Sequence, residues 1–219
     1  MSDKFSIEDL MIKIMPGGFF IAVVYFLFRD KISLTLVDNL DFLYTFLFFC
    51  SAFIVGEILQ TIAHLNEWII DLFFKRRRPS NIFLYKNNPV LKSKEKRLEL
   101  IDTLSLNPED VIGFDKDYKE LSFWKKKGDK KYDNISQSIF WKLYSNVSDG
   151  EEIKSSNRNY LFVRGITIEL IIISAILLIC KNYYFFVGTS VLSIIFLWRA
   201  RGLARGLVFK TVLLNLKNK

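Results

Sequence analysis

YLFVRGITIELIIISAILLIC-KN-YYFFVGTSVLSIIFLW, Tyr160 to Trp198, holds two apolar runs separated only by Lys181 and Asn182. A bilayer core roughly 30 Å thick needs about 20 apolar residues at about 1.5 Å of rise each. Each run is near that length, and so short a connection predicts a tight helical hairpin. Upstream lie two more runs, Met11 to Phe28 and Phe42 to about Leu59, joined by the short loop Arg29 to Asp41. These predict a second hairpin. The first run has the apolar stretch of a signal peptide, but Asp3, Glu8 and Asp9 precede it and no A-x-A site follows. It therefore reads as an uncleaved span, with Pro16-Gly17-Gly18 predicting a kink or break near its start.

Composition agrees with that reading. The 219 residues are 51% hydrophobic, and the 21 phenylalanines sit mostly in the four blocks, as a soluble domain would not arrange them. The fold class expected is an all-α integral membrane protein, with four transmembrane helices in two hairpins and a cytoplasmic helical insert. The segments are 1–74 (first hairpin with a cytoplasmic helix extension), 75–159 (basic insert) and 160–219 (second hairpin with a basic tail). Cys50 and Cys180 lie in or beside apolar segments with no CxxC, which suits neither a disulfide scaffold nor a zinc site.

Lysine and arginine placement sets the orientation. The two short loops balance Arg29, Lys31 and Lys181 against Asp30, Asp38 and Asp41. The insert opens on Lys75-Arg76-Arg77-Arg78, and the tail beyond Trp198 carries six basic residues and no acid. A multi-pass inner-membrane protein with both termini and the insert in the cytoplasm follows. The insert holds 19 basic and 13 acidic residues. Asn107-Pro108-Glu109-Asp110 and Asp149-Gly150-Glu151-Glu152 read as helix starts, the latter leading into span three. Phe123 to Asn134 reads as a basic turn and Ile135 to Tyr144 as a short amphipathic helix.

Span two runs on into GEILQTIAHLNEWIID, Gly56 to Asp71, where Glu57, Gln60, Thr61, His64, Glu67 and Asp71 share one helical arc at 100° per residue. The single histidine of the chain, His64, is a candidate for pH sensing or proton relay; the alternative is a solvated face. With no second histidine, no metal site is expected. Glu57 lies about 22 Å into its span and Arg164 about 6 Å into span three from the opposite end, so their depths match. An intramembrane Glu57–Arg164 pair is predicted, either a strut or a gate. Glu169 falls near the midplane. It either lines a pore formed by several copies, or hydrogen-bonds to Ser190 or Ser193 of span four or to Arg164 a turn and a half away.

Trp198 to Leu207, W-RARGLARGL, places Arg199, Arg201 and Arg205 where lipid phosphates or an acidic partner would meet them, as would Arg76, Arg77 and Arg78. The Gly202–Gly206 pair has the spacing of a close helix contact. Lys125, Lys126, Lys127, Lys130 and Lys131, among Phe123, Trp124 and Tyr132, are candidates for phosphate or nucleotide contact, with leaflet attraction as the simpler account. No Walker, GxGxxG, HExxH or GxSxG motif occurs, and no catalytic residue or cofactor is expected.

Pro16-Gly17, Val55-Gly56-Glu57, Arg158-Asn159-Tyr160 and Arg199-Ala200-Arg201, each at a span end, resemble a loose group of uncharacterised bacterial four-span membrane proteins. These are similar to the membrane effectors of antiviral-defence loci. The resemblance covers the spans and not the insert. It implies a non-enzymatic, oligomeric effector that disrupts the membrane when a sensor or second messenger acts. A membrane anchor recruiting a soluble partner is the alternative, and a small ion or proton carrier using Glu169 is the third. The partners expected are anionic lipid, further copies of the chain, and a soluble protein or nucleotide messenger, with no direct DNA binding.

Overall fold

The computed structural model describes residues 7–29, 41–65, 78–103 and 129–217. These form seven helices and no strand: α1 (Ile7–Phe28), α2 (Asp41–Leu65), α3 (Pro79–Ile82), α4 (Lys94–Thr103), α5 (Asp129–Val147), α6 (Glu151–Ile179) and α7 (Tyr183–Lys217). Four of them, α1, α2, α6 and α7, are long and apolar enough to cross a membrane. At about 1.5 Å per residue, the 29 residues of α6 and 35 of α7 run to about 44 and 52 Å, well beyond the roughly 30 Å of hydrocarbon. The helix start read at Asp149–Glu152 is therefore the start of α6 itself, with Glu151 and Glu152 in its first turn.

Contacts divide the chain into two compact units, Met1–Asn66 with Arg158–Ala200, and Glu67–Asn157 with Arg201–Lys219. Residues 201–219 thus group with residues of the insert, not with the spans. In the first unit α1 passes unbroken through Pro16. Gly17 of α1 and Gly56 of α2 serve packing: a Cβ on Gly17 would overlap the Ala52 carbonyl oxygen, and one on Gly56 the Lys13 carbonyl oxygen. Backbone meets backbone there, as small residues permit between membrane helices. The buried stripe of α2, Ala52, Gly56, Leu59 and Ala63, has the matching alternation of four- and three-residue steps.

The α6–α7 turn closes as a Schellman motif. Lys181 takes the left-handed position at φ 58°, its N–H reaches the Leu178 carbonyl at 3.1 Å, and the Asn182 N–H reaches Leu177 at 2.9 Å. Beyond this turn the Ser174 hydroxyl donates to Thr189 Oγ1 at 2.9 Å, binding α6 to α7.

The second unit has a core of its own. Ile82, Phe83, Leu91, Leu100, Phe140 and Leu143 pack with Val208 and Val212 from the far half of α7. Helix α5 begins at Asp129, so Asp129 to Asn134 is helical where a basic turn was expected. The Tyr85 hydroxyl donates to Asp133 at 3.0 Å, and Asp133 and Ser136 are buried, which holds this first part of α5 against the core. The segment around Asn107-Pro108 lies outside the described residues.

Candidate functional site

The polar groups of the first unit gather along α2 and α6. Glu57 forms an ion pair with Lys13 of α1, not with Arg164. The glycine crossing decides this: it lays the Lys13 backbone directly on Gly56, so Lys13 is the cation brought to Glu57. The Lys13 ammonium also stands 5.3 Å from the Phe53 ring centre. The pair is half-exposed on the Glu57 side.

Arg164 instead meets the neighbour of Glu57 one turn on. Its Nη2 lies 3.4 Å from Gln60 Oε1, and its guanidinium is 5.6 Å from the Tyr160 ring centre. The Gln60 amide donates to the Leu161 carbonyl at 2.9 Å and occupies the space that a side chain on Gly165 would need. Depth matching thus selected the right level of α2 against α6 and the wrong residue on it.

Glu169 is 0% exposed, and neither carboxyl oxygen has a hydrogen-bond partner among the described residues. It faces the interior of a single chain, so in this arrangement it does not look outward towards other copies. Ser193, the second hydroxyl considered for it, donates to the Thr189 carbonyl at 2.8 Å, and Ser190 is half-buried without a bond to Glu169. A carboxyl group taken from water with no bond in return is costly in either charge state. The environment of Glu169 opposes its chemistry.

His64 is exposed on the last turn of α2, and Glu67 and Asp71 of the same arc lie outside the described residues. Of the basic candidates, Arg76, Arg77, Lys125, Lys126 and Lys127 also lie outside them. Lys130 and Lys131 fall in the first turn of α5, and Arg78 is half-buried before Pro79. Arg199 is exposed, as an arginine meeting lipid phosphate should be, but Arg201 is only 4% exposed and Arg205 is half-buried. Those two are part of the packing of α7, because one face of the tail is buried. Leu207, Val208, Thr211 and Val212 lie in its interior, Asn215 donates to the Leu143 carbonyl at 2.9 Å, and Lys210 donates to Ser156 at 2.9 Å. Among the described residues nothing within 4 Å would meet a Cβ on Gly202 or Gly206, so that pair makes no close contact with them.

One polar cluster went unread in the sequence. Asn88, 1% exposed, accepts from the Val90 and Leu91 N–H groups at 2.8 and 2.6 Å. Its amide nitrogen lies 2.9, 2.6 and 3.1 Å from the carbonyl oxygens of Phe83, Tyr85 and Leu91. Arg97 Nη1 reaches the Tyr85 and Leu91 carbonyls at 3.3 Å, and burial lowers its pKa. The signal was present in Asn87-Asn88-Pro89, a turn sequence inside an apolar run. The cluster folds the Phe83–Leu91 loop onto α4 and α5, a structural role. Comparison with protein-family models, curated proteins and solved structures finds no match to this chain.

Proposed function

We propose that this chain is a non-enzymatic bacterial inner-membrane effector of the antiviral-defence type its span-end motifs resemble. It alters membrane permeability, as a homo-oligomer, when a cytoplasmic signal reaches the insert and basic tail. The observation that carries the reading is Glu169, wholly buried with neither carboxyl oxygen bonded among the described residues. A polar group held at a cost marks one arrangement of a device that has another, in which the group reaches water. Helix α6, Glu151–Ile179, carries Glu169 well inside its length. With Glu169 fully buried in a single chain, the permeable form needs repacking and several copies.

The alternative, a membrane anchor for a soluble partner, has Trp141 in its favour. This ring is 56% exposed on the second unit and held edge-on by Phe140 and Tyr144, the rigid aromatic kind of anchor that interfaces use. Inducible expression with a membrane-potential dye separates the two. The effector depolarises cells on triggering, and Glu169→Leu abolishes this while the protein still accumulates in the membrane. Absence of depolarisation with every trigger tried, together with a stoichiometric soluble partner lost in Trp141→Ala, identifies the anchor. Depolarisation that follows only an imposed proton gradient and is lost in Glu169→Gln identifies a proton carrier.

A further inference from the structure

We propose that the first unit binds one acyl chain of an anionic phospholipid in the cavity between α1, α6 and α7. The cavity holds about 370 Å³ and is walled by Phe19 and Val23 of α1, Leu170 and Leu177 of α6, and Phe185 and Leu192 of α7. All three helices are long and apolar enough to cross a membrane, so its open side, where Phe26 and Phe185 are 66% and 63% exposed, meets hydrocarbon.

Polar ligands are poorly served there. The Thr189 hydroxyl already donates to the Phe185 carbonyl at 2.9 Å and accepts from Ser174, leaving Asn182 as the other polar residue of the wall. Asn182 belongs to the α6–α7 turn, and it fixes which end of the cavity is polar. Next to it stand Tyr183 and Tyr184, 59% and 95% exposed, as tyrosines at a membrane–water boundary are, and Lys181, also exposed. Phe26 and Leu27, in the last turn of α1, line the same cavity, so the end of α1 shares this mouth. The cavity therefore runs from a cationic, aromatic rim into an apolar interior.

Its depth fits one leaflet. From Leu170 to the end of α6 at Ile179, just before the Asn182 turn, is nine residues, about 14 Å, against roughly 15 Å for half the hydrocarbon core. An acyl chain lying along α6 fills it with its ester end at Asn182 and its phosphate beside the Lys181 ammonium, which favours an anionic headgroup. A fatty acid would fill the same apolar space but place its single carboxylate at the rim.

Native mass spectrometry of the full chain released gently from detergent tests the site. The expected result is one retained phospholipid per chain. Ala22→Phe, which builds a ring into the cavity from the exposed side of α1, lowers occupancy at least tenfold, and Leu192→Phe does the same from the opposite wall should the first variant not fold. Leu47→Phe, a substitution at an exposed residue of α2 outside the cavity, leaves occupancy unchanged. In nanodiscs of mixed phosphatidylglycerol and phosphatidylcholine, Lys181→Gln keeps the bound lipid and removes the preference for phosphatidylglycerol. Equal retention by the parent chain and both filling variants overturns the proposal. So does a retained molecule without phosphorus, or a dimer that the filling variants dissociate with no change in lipid content.

Discussion

Asn88 in the second unit and Glu169 in the first are both buried polar side chains, 1% and 0% exposed, and they are treated in opposite ways. Asn88 finds three carbonyl oxygens and two N–H groups within bonding distance, whereas neither Glu169 oxygen has a partner among the described residues. A satisfied buried polar group fixes one conformation, because every alternative leaves its partners unbonded. An unsatisfied one raises the energy of the conformation it sits in and so favours departure from it. Asn88 holds the Phe83–Leu91 loop in one shape, and Glu169 works against the shape of the packing around it.

The largest effect should come from Asn88. Asn88→Ala strands the groups that organise the Phe83–Leu91 loop. At about 1–3 kcal/mol for a buried group left unpaired, the loss should reach about 4 kcal/mol. Hydrogen exchange of α4 and α5 reports it, and a change below about 1 kcal/mol would show that the loop is dispensable to the second unit. Gly56→Ala comes next, at about 3 kcal/mol in thermal unfolding in detergent. Its new methyl would meet the Lys13 backbone, which no rotamer change can move aside. An unchanged melting point would mean that α1 and α2 are not packed through this glycine.

Glu169→Leu has the opposite sign. Replacing a buried, unbonded carboxyl with a hydrocarbon of similar volume should stabilise the first unit by about 1–2 kcal/mol, read in the same melts. The comparison breaks if Glu169→Leu destabilises by as much as Asn88→Ala, for then Glu169 has found a partner and is a lock like Asn88. It sharpens if the stabilised variant also fails to depolarise cells.

Much of this was legible in the sequence, because length and apolarity are sums along the chain. Four helices long and apolar enough to cross a membrane, and the Lys181-Asn182 turn, follow from counting residues. The Glu57–Arg164 pair failed because depth is one coordinate of two. Which residue on a given turn faces which neighbour depends on rotation about the helix axis, and that was set by Gly17, Ala52 and Gly56. Charge misled at the tail in the same way. Six cations suggested a surface, while Leu207, Val208, Thr211, Val212 and Leu216 at steps of three and four carried the periodicity of a packed helix. Glu169 was legible as an anomaly by its position, but that its oxygens lack partners needed the packing of α6.

The smallest effect distinguishes glycines by what lies beside them. Gly202 and Gly206 share the four-residue spacing that marks close helix contacts, yet a Cβ on either meets nothing within 4 Å. Both are interior to α7, where glycine costs about 0.8–1 kcal/mol relative to alanine through backbone freedom in the unfolded chain. Gly206→Ala should therefore stabilise the second unit by up to about 1 kcal/mol, the reverse of Gly56→Ala from the same chemical change. The measurement is the same melt, read alongside oligomeric state. A destabilisation that appears only at concentrations where the chain self-associates would place a second copy against this face of α7, giving the open glycine pair the contact that a single chain does not supply.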